Sequence, residues 1–158
     1  MGMNTPDLMA TGNELIREER WRQVYEEGRD SGCDAEYRND QLACAAACYA
    51  MPHDIRVSAI AGAQKAVPAL WPWDAKWWKP GFEPPLRDRG HRPSPPRGDE
   101  QLVGRIRELV KAGALIAAEI DRLQGKRREL DTERREDEEL ARKEAQRRQD
   151  AEGTDGNP

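Results

Sequence analysis

Apolar positions along the chain fall into three helical blocks separated by polar and proline-rich stretches. The first begins near Thr11 or Asn13, either of which can cap a helix, with Glu14, Glu18 and Glu19 in the early turns where acids complement the helix dipole. Leu15, Ile16, Trp21, Val24 and Tyr25 form a rough helical stripe, and Gly28 marks its end. Residues 29–39 read as a polar loop. Asn39 or Asp40 then caps a second helix, QLACAAACYAM, which Pro52 stops. Its small residues predict burial on most sides and close approach of neighbouring backbones.

The third block is the longest. Leu102, Ile106, Leu109, Gly113, Ile116, Ile120 and Leu123 alternate at spacings of four and three, which lays one seam along a helix that Asp99 can cap. Val103, Val110 and Ala117 widen the seam into a stripe expected to face the core. Gly113 would let another helix approach closely. Past Gly125 the seam fades, and residues 126–150 hold nine basic and nine acidic residues. Asp131–Arg135, Glu138–Arg142, Glu139–Lys143 and Glu144–Arg148 stand acid-first at i,i+4, each pair worth ~0.2–0.5 kcal/mol. Such a helix is solvated and needs no core.

Between the second and third blocks the pattern breaks down. Residues 53–69 suit either a short helix or a flexible insert. Prolines crowd 71–98, where one helical turn is expected at Asp74–Lys79 and a flexible connector over 81–98. The expected architecture is mainly α: a small three-helix domain over 12–124 with a Trp/Pro-rich irregular segment and a charged C-terminal helical extension over 125–150. Residues 1–11 and 151–158 are expected to be disordered ends.

Composition narrows the function. The net charge is −4, against the basic excess of a general nucleic-acid binder. Residues 51–100 are the one net-positive third, with eight basic and six acidic residues, which hints at an anionic ligand. No apolar run approaches the ~20 residues that span a bilayer, so no membrane partner is expected. Three cysteines without a disulfide framework, and no secretory leader, point to the cytoplasm.

No GxSxG, Walker, GxGxxG or HExxH motif is present, so neither a catalytic residue nor a cofactor is assigned, and a non-enzymatic protein is expected. Cys44 and Cys48 lie one helical turn apart. With Cys33, His53 and His91 they lack the second close pair that structural zinc sites use, so they read as small hydrophobes and no metal ligand is assigned. Glu14, Glu18, Glu19, Glu36, Asp40 and Glu119 are the acids available for magnesium, but not at paired ExxE spacing.

The segment WPWDAKWWKP holds four of the five tryptophans. Trp71, Trp73, Trp77 and Trp78 cannot all face one side of a regular element. Two or three rings are expected to cover the helical core, and another can stack on a flat, anionic ligand. The candidate binding set is Trp73, Trp77 and Trp78 for stacking, with Lys76, Lys79, Arg22 and Arg107 for phosphate.

EERWRQVYEEG, QLACAAACYA, WPWDAKWWKP and RELVKAGALIAAEIDRL together resemble a family of small uncharacterised phage and prophage proteins. Its pattern runs R-x-x-Q-x-x-x-E-G, L-A-x-A-A-x-x-Y-A, W-P-W-x-x-x-W-W-K-P and K-A-G-A-L-I-x-A-E-I-x-R. The chain departs in the loop, where Cys33 and Tyr37 stand at positions often richer in His and Asp. The resemblance implies a phage gene and the host cytoplasm. Three functions follow as expectations. The first is an accessory protein binding a small nucleotide-like ligand, such as a host antiviral signal to be sequestered. The second is a structural or protein-interaction module acting through the long helix, with a homo-oligomer through 101–124. The third is a metal-dependent all-α NTP pyrophosphohydrolase.

Overall fold

Helix α1 (Gly12–Tyr25) starts from a capping box: the Glu14 amide donates to Thr11 Oγ1 (3.4 Å) and the Thr11 amide to the Glu14 carboxylate (2.7 Å). Gly28 follows with φ +69°, the left-handed region that glycine enters without strain. The computed structural model describes residues 10–58, 67–81 and 98–154. The expectations for 1–9, 59–66, 155–158 and most of the 81–98 connector, with His91, lie outside the described residues.

The stretch read as a polar loop contains a short helix, α2 (Ser31–Ala35), because the Asp30 carboxylate accepts from the Cys33 amide at 3.0 Å. Helix α3 (Gln41–Ala50) is entered through two left-handed residues, Asn39 and Asp40, and the Asp40 side chain makes no capping bond. Gln41 Oε1 accepts from the Arg38 amide instead, at 3.1 Å. Helix α4 (His53–Ser58) follows Pro52. One 3-10 turn, Ala75–Trp77, lies inside the expected 74–79, capped by Asp74. Helix α5 (Asp99–Thr154) completes a mainly α-helical chain without a strand among the described residues.

The chain forms two compact units, Met1–Ile120 and Asp121–Pro158. In the first, Leu42, Ala45, Ala46, Cys48 and Tyr49 of α3 pack with Ala112, Leu115 and Ala118 of α5, and Trp78 fills the remaining space. The buried residues of α5 in this unit are Gly104, Glu108, Ala112, Ala114, Leu115, Ala118 and Glu119. This corrects the expectation that the leucine–isoleucine seam is the core stripe. Leu102, Leu109, Ile116 and Ile120 remain 46–49% exposed. The small residues of α3 supply the reason: a helix surfaced with Ala and Cys gains most contact from an equally small, close-approaching surface. Trp21 and Tyr25, expected in the α1 stripe, are also exposed and pack on each other at 4.8 Å.

Two glycines mark close approaches. A Cβ at Gly113 would lie 2.5 Å from Ile16 Cδ1, so α1 does come in against α5 there. A Cβ at Gly81 would lie 2.1 Å from the Gly104 carbonyl oxygen, which pins the start of the expected connector to α5.

Glu108 is wholly buried and gathers this unit together. Arg56 donates to both of its oxygens (2.9 and 2.6 Å), Arg105 donates at 3.0 Å, His53 Nε2 lies at 3.0 Å, and the Gly81 amide donates at 3.1 Å. Arg56 and Arg105 also donate to the Met51 and Tyr49 carbonyls at the end of α3. Burial alone would raise the Glu108 carboxyl, but His53, Arg56 and Arg105 outweigh it and hold the group well below the usual carboxylate range. A close ion pair between Arg20 and Asp34 ties α1 to α2.

The second unit is helical over the described 121–154 and mostly exposed. Lys143 pairs with Glu139 at 2.6 Å, and Arg134 bridges Asp131 (3.2 Å) and Glu138 (3.9 Å).

Candidate ligand-binding cleft

The proline-bracketed segment turns sharply at Asp74, whose backbone carbonyl accepts from Trp71 Nε1 at 3.2 Å. That turn sends the rings to different places. Trp71 and Trp73 meet edge to face at 5.1 Å, Tyr37 lies 5.4 Å from Trp73, and Tyr49 lies edge-on to Trp71 at 5.6 Å. These four rings and Trp77 line an open cleft of about 920 Å³ inside the first unit. The indole N–H of Trp73 is buried with no acceptor among the described residues.

Arg22, Arg29, Lys79 and Lys111 line the same cleft with three acids, Glu19, Glu27 and Asp74. The acids are largely occupied. Glu19 takes two bonds from Arg22 (2.8 and 2.9 Å), and Glu27 pairs with Arg22 (2.7 Å) and Arg29 (3.1 Å). Burial pushes the Glu19 carboxyl up, while the bonds from Arg22 and Gln23 bring it net below its ordinary value. These carboxylates hold Arg22 in place, and the planar guanidinium keeps donors to spare.

Lys111 comes from the inner side of α5. Its ammonium donates to the Lys79 carbonyl at 2.9 Å and lies 5.3 Å from the centre of the Tyr49 ring. Burial lowers its pKa, since the charged form has lost much of its water. A half-buried ammonium beside aromatic faces suits an anion that would restore its solvation.

Of the residues singled out from sequence, Trp73, Trp77, Lys79 and Arg22 line this cleft. Trp78 does not. It is 2% exposed and stacks on Tyr49 at 4.7 Å with Arg56 over its face, so packing replaces the expected stacking role. Lys76 stays outside, over the Trp77 ring at 5.5 Å. Arg107, on α5, is also outside the lining. Sequence reasoning missed Lys111, Arg29, Tyr37, Tyr49 and Trp71 as cleft residues. Lys111 had a legible signal: it is the one charge inside the run from Leu109 to Ala118.

The acids considered for magnesium are dispersed in role. Glu14 closes the α1 cap, Glu18, Glu36 and Asp40 are exposed, and Glu119 is buried on α5. Among the described residues no three of His, Cys, Asp and Glu gather as metal ligands would. Cys33, Cys44 and Cys48 are free thiols, and burial pushes Cys48 up to about 11. Comparison of the chain with protein-family models, curated proteins and solved structures finds no match.

Proposed function

We propose that this chain is a non-enzymatic binding protein for a small anionic, nucleotide-like molecule held in the cleft. The observation that carries the reading is the convergence of Trp71, Trp73, Trp77 and Tyr37 with Arg22, Arg29, Lys79 and Lys111 around one opening. A base or other flat ring stacks on the aromatic wall, where such contacts are worth ~1–3 kcal/mol per base. Phosphate oxygens engage the lysines and the spare donors of the arginines. The cleft volume lies within the ~300–1,000 Å³ of small-molecule sites. The resemblance to phage proteins supports an accessory role in the host cytoplasm, with sequestration of a host antiviral signal nucleotide as its purpose.

Tryptophan emission and thermal melting of the full chain, titrated with mononucleotides, cyclic dinucleotides and ADP-ribose-type compounds, test the reading. Quenching and a raised Tm are expected with at least one of them, both lost in Trp77→Ala and weakened in Lys79→Ala. A panel that moves neither signal refutes it.

A further inference from the structure

Three of the cleft cations, Arg22, Lys79 and Lys111, form one corner. The Lys111 ammonium has lost much of its water, is attracted by Glu19 and Glu108, and is repelled by Arg22 and Lys79, so these charges lie within reach of one another. Glu108 is already saturated by Arg56, Arg105 and His53. Glu19 is then the carboxylate that belongs to the corner, and Arg22 takes both of its oxygens. Three cations against one carboxylate leave a surplus of two positive charges. Glu27, which Arg22 also meets, is offset by Arg29.

We propose that this corner is a seat for one phosphate group, with Lys111 as its selectivity residue, so that the cleft takes a flat-ring ligand bearing a single phosphate in preference to a polyphosphate. The inference rests on the reading of the cleft as a nucleotide-like site and narrows it. A phosphate monoester carries about 1.5–2 negative charges at pH 7, which matches the surplus. Its oxygens supply acceptors to a half-buried ammonium whose hydrogen bond among the described residues goes to the Lys79 carbonyl. Three N–H groups of Arg22 are engaged by Glu19 and Glu27, and the others remain for the ligand. Tyr49 joins the corner to the rings: Lys111 lies over its face, and Trp71 meets it edge-on at 5.6 Å. A ring linked to the phosphate through a sugar therefore reaches Trp71 and Trp73.

Further phosphates have no second seat. Outside the corner the cleft lining holds two acids, Glu27 and Asp74, and one cation, Arg29. Arg29 is already paired with Glu27 at 3.1 Å. Asp74 is exposed, and its carboxylate lies 4.0 Å from Lys76 Nζ. A second or third phosphate adds negative charge where these carboxylates stand, and such like-charge contacts select against the longer ligand.

Binding of adenosine, AMP, ADP and ATP to the full chain, without divalent cations and at constant ionic strength, tests the inference by tryptophan quenching and calorimetry. AMP is expected to bind at least about tenfold more tightly than adenosine, and ATP at least about threefold more weakly than AMP. Lys111→Met should bring AMP to within about threefold of adenosine, whereas Lys111→Arg should keep a clear gap. Asp74→Asn, which retains a capping side chain, should narrow the gap between AMP and ATP. Lost packing would weaken AMP and adenosine alike, so an AMP-to-adenosine ratio that survives in Lys111→Met overturns the inference. So does an affinity that rises with each added phosphate. Both of those outcomes leave the nucleotide-like reading standing. Silence from all four compounds also overturns the inference, and the broader reading falls only if cyclic dinucleotides and ADP-ribose-type compounds are silent too.

Discussion

Glu108 and Leu109 are neighbours on α5, yet the carboxylate is wholly buried and the leucine is half in water. The same reversal runs along the two faces of the helix within the first unit. The inner face carries Gly104, Glu108, Ala112, Leu115, Ala118 and Glu119, and the outer face carries Leu102, Leu109, Ile116 and Ile120. Hydropathy alone would place Glu108 and Glu119 outside and the leucines and isoleucines inside. The inner face is selected by fit to the Ala- and Cys-rich α3, and by the donors that surround Glu108. A buried carboxylate with two arginines, a histidine and a backbone amide has its charge and lone pairs satisfied, so it no longer opposes burial.

That contrast can be broken most severely at Glu108. Glu108→Ala leaves the buried Arg56 and the part-buried Arg105 without their counter-charge and is expected to cost about 3–5 kcal/mol in urea unfolding. Acid tests the same group without mutation. Because its folded carboxyl titrates below the ordinary range, its contribution is fully present above that range. The contribution is lost as pH falls toward the folded value, and the acid limb should flatten in Glu108→Gln. Trp78→Ala, which empties a core position against Tyr49, is expected to cost about 3 kcal/mol.

Gly81→Ala should cost about 1–3 kcal/mol, because the new methyl meets the Gly104 backbone rather than a side chain that can move. Trp77→Ala sharpens the comparison with its neighbour. Its ring is half-exposed, so a loss under about 1 kcal/mol is expected in the same unfolding assay, together with loss of ligand-induced quenching. The smallest effect belongs to the outer face. Leu109→Gln should change the stability of the monomer by no more than about 0.5 kcal/mol, measured at dilution.

How much of this was legible depends on the range of each interaction. The α1 capping box joins residues three apart, and the Asp74 turn joins residues two or three apart, so both could be read from local sequence. The α2 turn was equally local and was missed, because a loop rich in Asp, Ser and Gly carries capping groups as readily as it carries turns. The cleft was legible in part. Trp73, Trp77 and Lys79 share one segment, but Lys111 reaches it from α5 and Arg22 from α1. The two adjacent indoles, Trp77 and Trp78, could not be told apart by composition. Only the direction of the chain after the 3-10 turn decides which one meets Tyr49.

The sequence by itself determined the mainly helical character, the capped start of α1, the close approach at Gly113 and the charged helix beyond residue 125. These rest on capping, on periodicity and on pairs one turn apart, all of which act over a few residues. Tertiary structure alone decided which face of α5 lies inside, which tryptophan fills the core, and which cations border the cleft. The Arg56–Glu108 pair spans 52 residues of chain. A contact at that distance is selected by the simultaneous fit of α3, α4, the Gly81 turn and α5, and no local pattern along the chain records it.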